Sequence, residues 1–201
     1  MKKVTFLLAL LLFAHYSYSQ FIPVPSWGVK GGFNFANIGG EETDNGMKTA
    51  LNAGVYGQKH FNAFWNMRIE LLLSGQGHGA KTDLDNKLNL LCLNLPVAIE
   101  YAPSFNWGIH AGLQPGLILS AKSKFEDTSF DVKDQFNTLD IALVAGGTYF
   151  LMDKKVGITV RYNHGITSLS KSTEFNPDPQ TRFNRVIQIT VSYMIARLFE
   201  E

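Results

Sequence analysis

Between residues 65 and 76 the chain alternates with a period of two. Trp65, Met67, Ile69, Leu71 and Leu73 share one face, while Asn66, Arg68, Glu70, Ser74 and Gln76 share the other, with Leu72 the one apolar exception. Successive side chains of a β-strand point to opposite faces, whereas a helix face recurs every 3.6 residues, so this run is a strand. The alternation returns at 156–163, where Val156, Ile158, Val160 and Tyr162 oppose Gly157, Thr159, Arg161 and Asn163. It returns again at 187–193, where Ile187, Ile189, Val191 and Tyr193 oppose Gln188, Thr190 and Ser192.

Segments of this kind are expected at 27–35, 49–60, 64–76, 88–101, 107–120, 139–151, 156–164 and 184–194. An even count suits an up-and-down barrel, and several segments reach the ~9–11 residues that a tilted membrane strand needs. The links at 61–63, 102–106 and 152–155 are short, whereas 36–48, 77–87, 121–138 and 165–183 are long and rich in Gly, Ser, Asp, Asn and Lys. Short turns on one side and long loops on the other is the layout of outer-membrane barrels. The expected fold class is therefore all-β, an eight-stranded antiparallel up-and-down transmembrane β-barrel. A soluble lipocalin-type barrel needs an apolar interior, and the charged face here is too rich in arginine and glutamate for one.

The first residues supply an address. Lys2 and Lys3 precede an apolar run from Val4 to Ala14, too short to span a bilayer, and Ser17-Tyr18-Ser19 places small residues at cleavage spacing. Residues 1–19 are expected to be a cleaved signal peptide and 20–201 the barrel domain, delivered to the outer membrane, with its lipid and the barrel-assembly machinery as partners. Without Lys2 and Lys3 the 18 basic residues become 16 against 17 acidic ones, a balance that offers nucleic acid nothing. The sole cysteine, Cys92, forms no disulfide within the chain and is too far from the cleavage site to carry a lipid.

Trp27, Trp65 and Trp107 each open an odd-numbered segment, so a meander brings all three to the short-turn rim. Tyr101, Phe150 and Tyr193 close descending segments and are expected there too. Together they predict a periplasmic aromatic belt, because amphipathic rings favour the headgroup level of a bilayer.

If the apolar face meets lipid, the lumen receives Lys30, Asn34, Arg68, Glu70, Asn94, Glu100, His110, Gln114 and Arg161. An eight-stranded barrel is only wide enough for its own side chains, so Lys30, Arg68, Glu70, Glu100, His110 and Arg161 are expected to interlock as a polar plug. A catalytic role for Glu70, Glu100 and His110 would lack substrate access. No catalytic, cofactor or metal site is expected. His60, His78, His110 and His164 lie in separate segments without ligand spacing. Gly75-Gln76-Gly77-His78-Gly79 is expected to be a flexible turn opening an outer loop, since no helix follows it as a phosphate loop requires. Cys92 alternates with Leu91 and Leu93 and is expected to pack inward. Glu41-Glu42-Thr43-Asp44 and Glu126-Asp127 suit solvated loops better than a cation site, and no Gly-x-Ser-x-Gly nucleophile motif occurs.

Several blocks resemble the PorT-like family of small outer-membrane β-barrel proteins of Gram-negative bacteria. They are Gly28-Val29-Lys30-Gly31-Gly32-Phe33-Asn34, Leu93-Asn94-Leu95-Pro96-Val97-Ala98-Ile99-Glu100-Tyr101, Gly112-Leu113-Gln114-Pro115-Gly116 with Leu119-Ser120-Ala121-Lys122, Ala145-Gly146-Gly147 and Arg161-Tyr162-Asn163-His164-Gly165-Ile166-Thr167. The resemblance implies a fold and an outer-membrane address and leaves biochemical activity undefined; the leading expectation is a non-enzymatic barrel whose four loops serve envelope or surface contacts. The alternatives are an accessory to type IX-like protein secretion, to which the family's name is tied, and a small-solute pore. One departure is the end of the chain, where Tyr193 and Phe199 are followed by Glu200 and Glu201, expected to overhang the barrel.

Overall fold

The computed structural model describes residues 25–40, 46–80, 87–125, 128–172 and 181–197. Residues 1–19, expected to be a signal peptide, and Glu41–Asp44, Glu126–Asp127 and the Phe199–Glu201 tail lie outside the described residues. The chain forms β1 (Ser26–Gly40), β2 (Lys48–His60), β3 (Trp65–His78), β4 (Lys87–Asn94), β5 (Val97–Tyr101), β6 (Trp107–Phe125) and β7 (Thr128–Asp131). A 3-10 turn at Lys133–Gln135 follows, then β8 (Leu139–Leu151), β9 (Val156–Gly165) and β10 (Arg182–Arg197).

All pairings are antiparallel, and β10 closes on β1. The wall has eight staves, because β4 and β5 both pair with β3 on one side and β6 on the other. Pro96 separates these two halves. It has no N–H to give the ladder, yet its carbonyl accepts the Glu70 N–H at 2.9 Å, so the stave continues through the gap. β7 is a short hairpin arm folded back onto the outer end of β6. The strands run further into the long connections than the sequence pattern predicts: β1 continues to Gly40, β3 to His78 and β6 to Phe125.

Register fixes the barrel's shape. Cα partners followed once round the wall from Trp27 run through Gly57, Ile69, Val97, Leu113, Leu143, His164 and Arg185, and return to the first strand at Asn37. That stagger of ten residues over eight staves tilts the strands by about 40°. The outward residues Ile109 to Leu119 of β6 then cover about 25 Å of barrel axis, the height of a lipid-facing apolar band.

The polarity is inverted relative to a soluble barrel. Phe33, Leu51, Val55, Ile69, Leu71, Leu113, Leu143 and Val160 are exposed on the outer surface, while Asn34, Glu70, Glu100, Thr159, Arg161 and Gln188 are buried inside. An isolated apolar surface of this extent is stable only against an apolar medium. Inward glycines let neighbouring strands approach closely and, at Gly146, make room for a large polar side chain. A Cβ on Gly112 would lie 2.0 Å from the Val97 carbonyl oxygen, and one on Gly146 would lie 2.9 Å from His110 Nε2.

Candidate functional site

Among the described residues the lumen is where the chain gathers chemically versatile side chains, and they are stacked in layers along the axis. At the short-turn end, the Arg68 guanidinium lies over the Tyr56 ring at 5.0 Å and donates to Gln58 Oε1 at 2.9 Å. It also faces Glu100 Oε2 at 3.5 Å. Glu100 Oε1 accepts from Gln58 Nε2 and Asn66 Nδ2, both at 3.2 Å.

The next layer is built around Glu70. Lys30 Nζ donates to Oε2 at 3.0 Å and Oε1 at 3.1 Å, while Arg161 approaches as a fork, at 2.9 Å to Oε2 and 2.8 Å to Oε1. Arg161 Nε donates to His110 Nε2 at 3.0 Å, which fixes that imidazole as an acceptor on this side. Charge-assisted bonds of this kind make a buried carboxylate tolerable, because every oxygen lone pair aimed inward meets a cation.

Above it the network is built of amides and hydroxyls, with Asp140 as its carboxylate. Asn34 Oδ1 accepts from Asn52 at 2.8 Å and Gln188 at 3.0 Å, and Asn34 Nδ2 donates to Ser74 Oγ at 2.8 Å. Gln76 Nε2 donates to Ser74 Oγ at 3.0 Å, Asn184 donates to Gln76 Oε1, and Asn184 reaches Asp140 at 3.3 Å. Thr167 Oγ1 completes the layer, donating to Asp140 at 3.1 Å and accepting the Ile141 N–H at 2.8 Å.

The mouth beneath the long loops is apolar. Ile38, Leu88, Leu90, Cys92, Ile118, Ala121, Phe136 and Leu169 form a buried cluster. Two loop segments close over it: Asn137 Nδ2 donates to the Ser168 carbonyl at 2.8 Å and the Ser170 carbonyl at 3.0 Å, and the Lys171 N–H reaches the Gln135 carbonyl at 3.0 Å. A lumen that is polar throughout does not account for this layer. Leu88 and Leu90 alternate in phase with Cys92, so the apolar inner face of β4 is written in the sequence, but Phe136 and Leu169 come from loops without periodicity. Asp140 is likewise an inward carboxylate outside the set picked from the pattern.

At the opposite rim Trp27, Trp65, Trp107 and Tyr193 are exposed on the outer wall, and Trp65 packs at a tilt of 43° against half-buried Tyr101 with ring centroids 4.9 Å apart. Phe150 does not belong with them. It is buried inside the wall, with Lys154 Nζ 5.6 Å from its ring, and Tyr149 takes the outward position, paired with Trp107 in the ladder. The reason is phase: Phe150 follows the inward Thr148, an alternation that Gly146-Gly147 hides in the sequence.

The remaining suspects are dispersed. His164 Nδ1 meets the Tyr162 hydroxyl at 3.2 Å, His78 Nδ1 lies 3.2 Å from the Gly79 carbonyl, and His60 lines a small pocket at the short-turn end with Arg68 and Lys154. Among the described residues no three His, Cys, Asp or Glu side chains converge as metal ligands would. Gly75-Gln76-Gly77-His78 is not a loop turn, because β3 runs through it. Gly77 bends the strand at φ 120°, where a Cβ would meet the Leu88 carbonyl oxygen at 2.1 Å.

The family model described as "Outer membrane protein beta-barrel domain" matches residues 25–171. Among curated protein sequences, none matches. The crystal structure of Ail, the attachment invasion locus protein of Yersinia pestis, superposes with a TM-score of 0.53 at 12% identity, covering 86% of this chain and 99% of that one. Neisserial surface protein A superposes with a TM-score of 0.58 at 9% identity, covering 85% of this chain and 99% of that one. At such identities the likeness shows the fold alone.

Proposed function

Because the chain belongs to the outer membrane protein beta-barrel domain family, we propose that it is a non-enzymatic, non-conducting barrel that carries its function on the long-loop end, facing outward. The filled lumen carries this reading. A Lys30–Glu70–Arg161 charge cluster bars the middle and an apolar cluster around Leu169 and Phe136 bars the outer mouth, leaving a solute no continuous polar path and a substrate no room. Function then falls to the rim, where the loop segments 132–138 and 166–171 are braced against each other. The likeness to Ail, the attachment invasion locus protein of Yersinia pestis, supports a role in surface contact. Planar bilayers test the reading: purified protein should insert without steady conductance, and large stable openings would overturn it.

The PorT-like resemblance of Leu93–Tyr101 and Arg161–Thr167 supports a second reading, an accessory to protein secretion. Deleting the gene should then deplete the set of secreted proteins, and an unchanged set removes this reading.

A further inference from the structure

At the short-turn end the lumen opens into a small dead-end pocket, closed from above by the Arg68 and Glu70 layers. Tyr56, Arg68, Phe150, Lys154, Gly157 and Ser192 line it, and no carboxylate does among the described residues. Gly157 keeps it open, since a Cβ there would lie 2.7 Å from Ser192 Oγ and 3.2 Å from Thr148 Cγ2.

A strained turn brings Lys154 to this place. Met152, Asp153 and Lys154 have φ of 49°, 51° and 67°, three successive left-handed residues with no glycine among them. That region is unfavourable for L-residues and persists only where the surroundings enforce it. Here the Lys155 N–H bonds the Met152 carbonyl at 3.0 Å, and the Lys155 carbonyl accepts the Met194 N–H at 2.8 Å. The Lys154 ammonium is thereby held against two rings, 5.5 Å from the centre of Phe105 and 5.6 Å from that of Phe150. It meets ring faces and no carboxylate, for Lys154 holds no ion pair among the described residues.

Arg68 differs, because Glu100 offsets its charge at 3.5 Å. Its donors are nevertheless only partly engaged. Nη2 serves both Gln58 Oε1 and Glu100 Oε2, while the buried Nε has no hydrogen-bond partner, and a guanidinium carries five N–H groups. Two cations against one carboxylate leave the pocket a net positive charge, partly shielded from water, where an anion is held more strongly than on open surface. On the same turn Asp153 and Lys155 are both exposed and outside the lining, and their charges offset each other.

We propose that this pocket receives a carboxylate side chain from an acidic peptide segment on the short-turn side of the membrane, the periplasm when the long loops face outward. A planar carboxylate suits the remaining guanidinium donors, and Lys154 adds a point charge that demands no fixed geometry. Phe105 favours a peptide over a free anion. Its ring is 85% exposed beside Lys154, and Met152 on the adjoining turn is 73% exposed, so residues flanking the carboxylate find an apolar rim that a bare anion would leave wet. Whether the long loops serve surface contact does not bear on this end of the barrel.

The test is calorimetric titration of the protein, folded in detergent, with the blocked pentapeptide Ala-Leu-Glu-Leu-Ala, its Gln counterpart and sodium acetate. The Glu peptide should bind about tenfold more tightly than the Gln peptide, and more tightly than acetate. Lys154→Gln should remove about tenfold of that affinity. Gly157→Val, which fills the pocket and leaves every charge in place, should remove it as well. Lys59→Gln, exposed on the outer wall of the same rim, should change nothing. A heat-modifiable band shows that each variant is folded, and if Gly157→Val is not, Lys154→Gln decides alone. Equal affinity for the Glu and Gln peptides overturns the site, as does full affinity in folded Lys154→Gln. Acetate binding as tightly as the Glu peptide overturns the peptide as occupant, because the rim then contributes nothing. An equal loss in Lys59→Gln marks unspecific charge attraction and overturns the pocket.

Discussion

Arg161 on β9 and Glu70 on β3 meet across the lumen as a two-bonded fork, 2.8 and 2.9 Å, although 91 residues separate them in sequence. Neither strand touches the other in the wall. The contact therefore spans the barrel's interior and ties opposite staves together.

Among the described residues Glu70 is the only carboxylate between Lys30 and Arg161. Glu70→Leu would leave two buried cations facing one another, a loss expected to cost about 3–5 kcal/mol. Arg161→Met leaves Glu70 with Lys30 and should cost less. Urea titration in lipid vesicles, read by the heat-modifiable band, would measure both. Glu70→Leu unfolding at the same urea concentration as wild type would show that the fork contributes nothing.

The outward face makes an opposite demand. Leu113 lies midway up the apolar band of β6, so Leu113→Arg should destabilise the barrel in bilayers by about 2–4 kcal/mol, whereas Ile195→Arg, near the rim, should cost about 0–1 kcal/mol. A soluble barrel with a wet outer wall would tolerate both alike. Equal unfolding midpoints for the two variants in vesicles would thus contradict the lipid-facing assignment.

The wall was legible in the sequence and the pairings inside it were not. Period-two alternation in β3, β9 and β10 is a local property, and it gives both strand and face without knowledge of the rest of the chain. Which charge meets which depends on the ten-residue stagger of the closed sheet, a global quantity that brings Arg161 to Glu70 rather than to Glu100. Phe150 shows where local reading fails, since two glycines before it erase the phase that would have turned it inward. The mouth was hidden for another reason. Phe136 and Leu169 are single apolar residues in polar loops, and only the closed barrel gives them something to cover.

The three tryptophans offer a depth gauge. Trp27, Trp65 and Trp107 lie at one end of the apolar band, so lipids brominated near the headgroup should quench their fluorescence more strongly than lipids brominated near the chain ends. Trp65→Ala should also remove the contact with Tyr101 and cost about 0.5–1.5 kcal/mol beyond the lost area. Stronger quenching by deep bromines would place these rings in the bilayer centre and refute the belt.

The loop closure over the mouth is the most exposed part of the packing to challenge. Leu169 is fully buried although it sits in a loop, and its own N–H and carbonyl are held, by the Arg182 carbonyl at 2.8 Å and the Asn137 N–H at 2.9 Å. Leu169→Ala empties a side-chain volume that those backbone bonds cannot refill, at an expected cost of about 2–5 kcal/mol. The cost is local, because the apolar cluster is separated from the Glu70 layer by the Asn34, Ser74 and Gln76 bonds. The variant should therefore keep its heat-modifiable band while segment 166–171 becomes sensitive to protease added at the loop side. Should Leu169→Ala instead lower the unfolding temperature of the whole barrel and leave cleavage unchanged, the mouth and the charged layer form one cooperative unit rather than two.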